Sequence, residues 1–353
     1  MSQAYQQKQE EQKFSQKGKE FTKEKTNEPG ANTFRRVKFS EGGFKMVEDS
    51  LRIIANDECL IRVLYSSVNY YDKILMQNKQ INDYALGCEG VGIIEKCGQE
   101  FGADCQGKKV AFCCDGWAEY AIKKRENLIF LDDQTNLKEA IDAFVNPLTA
   151  LSLRRIILQN NHRSCIIDGA SCHLGRTLIQ LCRESDIDVI AVVREDNQIQ
   201  EFKDKFNVKY VINQNTGQFK DQMCSFIKEV EPLIYISCVG GDLTGRIFNC
   251  MPPKSTLIMV GNLSNEDLKL PVTQLFVEGK QIKGFFLERY LREELPKATY
   301  NQFCDEIKED FKSGGKKFGV QACKEMDLKD WDKALDQLES LHGGKILLRV
   351  GKE

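Results

Sequence analysis

The chain carries no apolar run approaching the ~18–20 residues that cross a bilayer, so no membrane-spanning helix is expected. It carries no excess of one charge. Its 50 basic and 52 acidic side chains leave a formal −2 over 353 residues, a balance that exerts no long-range pull on nucleic acid or acidic lipid. Histidine is scarce, at three residues, so imidazole acid–base chemistry has few places to occur. No internal repeat stands out. Cysteine is plentiful, at 14, but without the spacing of a small disulfide scaffold and without an export signal. These thiols are expected to be reduced, in a reducing, cytoplasmic compartment, with a mitochondrial address left open. What is present is ordinary for a globular protein. With 41% apolar and 29% charged residues, a wholly disordered or collagen-like chain is excluded, and the length suggests about two domains.

Residues 1–33 stand apart. They hold six Lys, five Glu and six Gln, and little that is apolar beyond Tyr5, Phe14 and Phe21. Such a segment cannot bury enough surface to offset the entropy of ordering it. It has neither the apolar centre of a secretory signal nor the arginines of a transit peptide. The expectation is a solvated tail or, alternatively, a segment that docks onto a partner.

From 34 to about 121 the pattern is short strands and turns, as in 59–64, 87–97 and 109–112, which reads as an antiparallel, barrel-like β domain. The texture then changes. Residues 137–158 look helical, with Asn146-Pro147 as a break between two helices. Apolar strands at 164–168, 188–193, 209–212, 233–238 and 255–260 then alternate with amphipathic helices at 174–184, 195–206 and 219–229. That alternation means βαβ units and a parallel sheet covered on both faces. From 284 onward a strand, helices at 300–312 and 329–341, and a closing strand at 346–350 complete the chain.

The strand–turn–helix at 164–180 has the context of a dinucleotide-binding turn. Backbone N–H groups at the start of such a helix face a pyrophosphate, and the helix dipole favours its charge. The turn residues are Ala170, Ser171, Cys172, His173, Leu174 and Gly175. Read as G-x-G-x-x-G, the three glycine places hold Ala170, Cys172 and Gly175. A Cβ and sulfur at Cys172 are expected to crowd a pyrophosphate. About twenty residues on, Arg194 ends the next strand and suits a 2′-phosphate, hence NADP(H), whereas Glu195 suits a free ribose diol. Cys172 beside His173 at a helix start invites a thiol–imidazole pair, although adjacent side chains rarely align for one.

Eight short stretches, in order, resemble the medium-chain dehydrogenase/reductase superfamily, nearest its zinc-free quinone-oxidoreductase and enoyl-thioester-reductase branches. They are VNYYD (68–72), GCEGVG (87–92), GWAEY (116–120), NPLTA (146–150), the turn at 164–180, VGG (239–241), GFFL (284–287) and GKILL (344–348). The resemblance covers all but the tail. It implies an α/β fold in which a Rossmann parallel-sheet domain (151–283) is inserted in a GroES-like β-barrel domain (34–150 and 284–353), with a cleft at the junction. It implies hydride transfer between NADPH and an electrophilic C=C or quinone, commonly in a dimer. Asn69 and Thr149 would lie near the nicotinamide as catalytic residues, Val239 and Gly240 along the nucleotide, and Gly261 and Asn262 near the nicotinamide amide. Phe285 and Phe286 would cover the ring. The zinc branch needs a Cys before the Asp-like position and a His in a G-H-E stretch. Here Ser66-Ser67 and Cys88 stand at those places, so no metal is expected.

Three positions depart from the family. The G-x-Y stretch that supplies a substrate-orienting Tyr aligns with Asn78-Lys79-Gln80, and Tyr84 and Tyr71 are at the wrong spacing. A phosphate-contacting Tyr after the third Rossmann strand is replaced by Gln214. The glycine pair of the phosphate turn is Cys172-His173. His162 reads as a loop residue and His342 as a helix end. Two readings fit these residues: an NADP(H)-dependent, zinc-free reductase of a quinone or conjugated enone or enoyl substrate, or a catalytically inactive subunit of a larger assembly, tethered partly through 1–33. The partners expected are a small-molecule substrate and a second copy or complex, with no nucleic acid.

Overall fold

A computed structural model describes residues 33–40, 42–77, 85–159, 161–320, 323–338 and 344–351. The tail up to residue 32, the 78–80 stretch, Tyr84 and His342 lie outside the described residues. Strands β1 (Thr33–Ser40) and β2 (Gly43–Ser50) pair with each other. Next come β3 (Glu58–Val68), helix α1 (Tyr70–Gln77), β4 (Glu89–Cys97), β5 (Lys109–Cys113), β6 (Tyr120–Lys124) and β7 (Leu128–Phe130). Alternate residues of β3 and β5 face one core, where Cys59, Ile61, Val63, Val110 and Phe112 are buried, as the period of two in a strand dictates.

Helix α2 (Val145–Gln159) joins this barrel to a second, parallel-sheet region. The sequence suggested two helices broken at Asn146-Pro147. The structure has one, preceded by turns over 137–144. Pro147 lies in its first turn, where backbone N–H groups have no intrahelical partner and a proline costs nothing.

The second region runs β8 (Ser164–Ile167), α3 (His173–Glu184), β9 (Asp188–Val193), α4 (Asp196–Phe206), β10 (Tyr210–Asn213), α5 (Phe219–Val230), β11 (Ile234–Ser237), α6 (Gly241–Cys250), β12 (Thr256–Met259), α7 (Val272–Val277) and β13 (Gln281–Gly284). All of its strands are parallel, in the order β10-β9-β8-β11-β12-β13. Counted from β8 that order is 3-2-1-4-5-6, the Rossmann arrangement. Residue 284, expected to open a strand, ends one instead. Along β8, Cys165 and Ile167 enter one core and Ile166 the other, so both faces of the sheet are covered.

The chain closes with α8 (Leu287–Glu293), α9 (Lys297–Lys312), β14 (Cys323–Asp327), α10 (Trp331–Gln337) and β15 (Lys345–Arg349). Strand β15 pairs antiparallel with β3, so the end of the chain returns to the barrel. One core cluster holds Tyr65 and Val91 of the barrel, Leu148 and Leu151 of α2, and Ile167 and Leu178 of the Rossmann region. Helix α2 is therefore packed from both sides, and a cleft opens beside its first turn, where Asn146 and Thr149 line it.

Candidate active site

The strand order reverses between β8 and β11, and the loops leaving their carboxyl ends part there, which is where open α/β sheets bind ligands. Asp168, directly after β8, holds this point together. Its buried carboxylate accepts hydrogen bonds from Ser237 Oγ at 2.7 Å, from the backbone N–H groups of Cys238 at 2.6 Å and Val239 at 3.0 Å, and from the Tyr235 hydroxyl. Burial pushes its pKa up against those donors.

Gly169 comes next, at φ +58°, in the left-handed region. The fingerprint reading put the first glycine place at Ala170; the backbone puts the turn one residue earlier. Ala170 is fully buried and donates its N–H to the Val192 carbonyl at 3.2 Å. Gly175 is required by close packing, because a Cβ there would lie 2.6 Å from the Gly169 carbonyl oxygen and 2.7 Å from that of Ala170. Gly175→Ala is expected to destabilise the fold by about 1–3 kcal/mol through overpacking. Urea unfolding checks this, and a midpoint equal to wild type would contradict the packing argument.

Cys172 has φ −70° and ψ 163°, an extended backbone that any residue adopts. No backbone strain attends a side chain here, and the Cys172 side chain lines the cleft where a pyrophosphate would approach. The thiol is the N-cap of α3, accepting from the Gly175 N–H at 3.3 Å. A hydrogen bond from the Cys238 thiol pulls the Cys172 pKa down against burial, and the Gly175 amide adds to this. His173 is not aligned with this thiol. Its Nε2 stands 3.4 Å from Asp142 Oδ2, and burial holds its pKa below the ordinary value despite that carboxylate.

A cleft of about 1810 Å³ runs past this turn, well above the about 300–1,000 Å³ of a common small-molecule pocket. It is lined by Asn69, Thr149, Ser171, Cys172, His173, Leu174, Arg194, Val239, Gly261, Asn262, Phe285 and Phe286. Of the residues singled out in the sequence, Ala170, Gly175 and Gly240 lie behind its wall. Gly240 has φ +77°, and a Cβ on it would come 2.3 Å from Asn262 Oδ1, so the 239–240 and 261–262 turns pack together. Phe286 is 43% exposed and faces Tyr71, 39% exposed, with centroids 6.1 Å apart; Phe285 turns toward Tyr290.

Beneath Asn69 lies a buried polar cluster that sequence reading missed. Asn69 Nδ2 donates to Ser67 Oγ at 2.9 Å and Glu89 Oε1 at 3.0 Å. Lys345 Nζ donates to Asn69 Oδ1 and, at 2.8 Å, to Asp142 Oδ1. Asn146 Nδ2 donates to Asp142 Oδ2. Glu89 Oε2 accepts the Val145 N–H at 2.8 Å, at the start of α2. Burial and then the like charge of Asp142 push Glu89 well above the usual carboxylate range. Burial opposes ionisation of Asp142, but the Lys345 ammonium, His173 and a hydrogen bond with Glu89 together hold that carboxyl well below its usual value. Burial likewise disfavours the ammonium, yet Asp142 and Glu89 raise its pKa. Within the cluster the Asp142 and Lys345 pKa values are thus moved toward the charged forms and those of Glu89 and His173 toward the neutral ones. The Asp of the N-x-x-D stretch is structural: Asp72 is buried and accepts from the N–H groups of Asn69, Gly87 and Cys88.

Two family descriptions match the chain: the alcohol dehydrogenase GroES-like domain over residues 55–136 and the zinc-binding dehydrogenase domain over 174–304. Together with a Rossmann sheet set beside a barrel, in that order, they decide the family. The chain belongs to the medium-chain dehydrogenase/reductase superfamily. It is 26% identical over 228 residues to the mitochondrial enoyl-[acyl-carrier-protein] reductase of Bos taurus, covering 62% of this chain and 59% of that protein. The Dictyostelium discoideum enoyl-[acyl-carrier-protein] reductase is 24% identical over 318 residues, 84% of this chain and 87% of its own. Among solved structures, a Mesorhizobium loti protein provisionally called an NADPH:quinone reductase superposes with a TM-score of 0.79 at 24% identity, covering 92% of this chain and 100% of the other. The complex of Etr1p with NADP and crotonyl-CoA superposes with a TM-score of 0.72 at 17% identity, covering 90% and 100%. At these identities the superpositions establish the fold alone.

Within this superfamily frame, the residues present suit NADP(H). The turn at Gly169 and Gly175 leaves no room for added side chains, and α3 points its N-terminus at the cleft. Arg194 is exposed and lines the cleft; among the described residues no hydrogen bond or ion pair engages its guanidinium. Glu195, the alternative ribose contact, instead closes a capping box with Gln198 at the start of α4. Among the described residues no group of three or more His, Cys, Asp or Glu is placed to hold a metal ion, and no helix is long and apolar enough to cross a membrane.

Proposed function

We propose that the protein is an NADP(H)-dependent, zinc-free reductase of a conjugated enone, enoyl thioester or quinone. The observation that carries this reading is that Gly169, Ser171, Cys172 and the start of α3 line one cleft with Arg194 at the next strand end, whose guanidinium no bond among the described residues engages. The names of the relatives, enoyl reductases and a complex with NADP and crotonyl-CoA, favour the same chemistry. When bound, NADPH supplies a hydride to the electron-poor carbon. The chain orients both reactants, and its polar groups meet the charge that develops on the substrate oxygen. Phe286 and Tyr71 offer an apolar wall for a flat substrate. The inactive-subunit reading rests on the three departures from the family at 78–80, Gln214 and Cys172-His173, of which Gln214, Cys172 and His173 line the cleft.

The test is NADPH titration by fluorescence and thermal shift. Binding raises the melting temperature, by an amount set by ligand concentration over Kd, and oxidation of NADPH by a 2-enoyl thioester, an enone or a small quinone is then measured. No thermal shift at millimolar NADPH would overturn the reading. The relatives' names also favour a mitochondrial over a cytoplasmic address, which fractionation of tagged cells checks.

A homodimer is part of the proposal. Strand β13 ends the parallel sheet, and beside it Val272, Phe276 and Val277 of α7 are 66%, 72% and 73% exposed. An open edge strand flanked by apolar side chains pairs readily with a second copy. Phe276→Asp is expected to halve the mass seen by light scattering; a wild type that is already monomeric would refute the dimer.

A further inference from the structure

We infer that the Lys345 ammonium, rather than the Asn69 carboxamide, is the hydrogen-bond donor this cleft presents to the substrate oxygen; this rests on the reductase reading and names a residue of its machinery. A count of donors separates the two groups. A carboxamide has two N–H hydrogens, and those of Asn69 go to Ser67 Oγ and Glu89 Oε1, while its oxygen accepts from Lys345. Nothing is left on Asn69 to donate. An ammonium has three hydrogens. Lys345 uses one on Asn69 Oδ1 and one on Asp142 Oδ1, and it lines the same cleft as Asn69 and Thr149. Among the described residues no bond uses its third hydrogen, and the two bonds fix the direction of that hydrogen.

The surroundings suit the task. A buried ammonium persists only where an anion and further hydrogen bonds compensate it, and Asp142 at 2.8 Å and Asn69 do so. A charged donor held in place stabilises an oxyanion more than a neutral one that must first break its own bonds. When hydride adds to the β-carbon of an enoyl substrate, the C=C electron pair moves to the Cα–carbonyl bond and the carbonyl pair to oxygen. That oxyanion accepts the third Lys345 hydrogen bond. Lys345 keeps its proton, and the α-carbon takes one from solvent.

The experiment reads the donor directly with p-nitrophenol, whose ionised oxygen resembles the oxyanion and whose yellow absorbance reports its charge. Bound to the wild-type protein, with or without NADP+, its apparent pKa should fall below that of free nitrophenol. In Lys345→Gln the fall should vanish. Because that variant leaves Asp142 unpaired, Lys345→Gln with Asp142→Asn is made alongside it, so that loss of folding cannot mimic loss of the donor. In turnover, Lys345→Gln should lower kcat about 10²–10³-fold, the usual cost of one oxyanion donor, with NADPH affinity within about twofold. A wild type that leaves the nitrophenol pKa unchanged overturns the inference, as does a folded Lys345 variant that retains the shift. If the shift depends on Lys345 but NADPH does not bind, the donor assignment stands and the reductase reading falls.

Discussion

Replacing Asp142 with alanine is expected to lower the unfolding free energy by about 3–5 kcal/mol, the cost of breaking a buried ion pair from one side. Asp142 is fully buried just before α2 and accepts from Lys345 on β15, 203 positions away in the chain. It also takes the Asn146 amide and faces His173 on α3. Removing the carboxylate strands an ammonium in the interior and loosens three segments at once. The urea midpoint should fall with an unchanged slope. The pH profile gives a second reading of the same group. The folded pKa of Asp142 is depressed, so its stabilisation is complete above the ordinary Asp value and is lost as pH falls through the depressed one. Glu89 runs the other way. Its folded pKa is raised, so its contribution is complete below the ordinary Glu value and is lost as pH rises through the raised one. Wild type should therefore weaken toward both extremes. Asp142→Ala should make the acid limb shallower, leaving the part due to other depressed carboxylates such as Glu58, and should flatten the other only in part, because burial, the larger cause of the raised Glu89 pKa, remains. A variant as stable as wild type, with both limbs intact, would show that the cluster holds nothing together.

The second large effect falls on the coenzyme. Arg194→Ala is expected to weaken NADPH binding about 10–100-fold while leaving NADH within a factor of about two. A guanidinium meeting a phosphate through charge-assisted hydrogen bonds is worth about 1.5–3 kcal/mol, and NADH lacks that phosphate. Arg194 has nothing else to lose, since no bond among the described residues engages its side chain. Its backbone N–H, bonded to Gln198 Oε1 at 3.1 Å, is untouched by the substitution. Fluorescence titration with both coenzymes separates the outcomes. Equal losses for NADPH and NADH would mean that the side chain shapes the pocket instead of reading the phosphate.

Much of the fold could be read along the chain because it depends on neighbours. The run from 189 to 193 is apolar and mostly β-branched, and with Asp188 before it forms β9. The amphipathic stretch after it becomes α4, capped where Glu195 and Gln198 stand three apart. The site was legible to the extent that its residues sit in such local patterns: the 169–175 turn, Arg194 at a strand end, and the short stretches around Asn69 and Thr149 all come to one cleft. Local pattern was also where reading went astray. Asn146-Pro147 looks like a break, but its effect depends on whether it falls in a first turn, which tertiary packing of α2 decides. The glycine fingerprint began at Ala170 and left out Gly169, because the positive φ at 169 is a property of the folded turn and not of letter spacing.

By itself, the sequence determined the class of the fold, since alternation of apolar residues and turn residues acts over a few positions, and its eight short stretches carried the resemblance to the family. It did not contain in any readable form the partnership of Glu89, Asp142, His173 and Lys345. Each of those residues is ordinary where it stands, and Asn69 and Lys345 lie 276 positions apart. Only the closing of β15 onto β3 brings them together. There, burial removes the water that would screen them, and their charges begin to set one another's protonation.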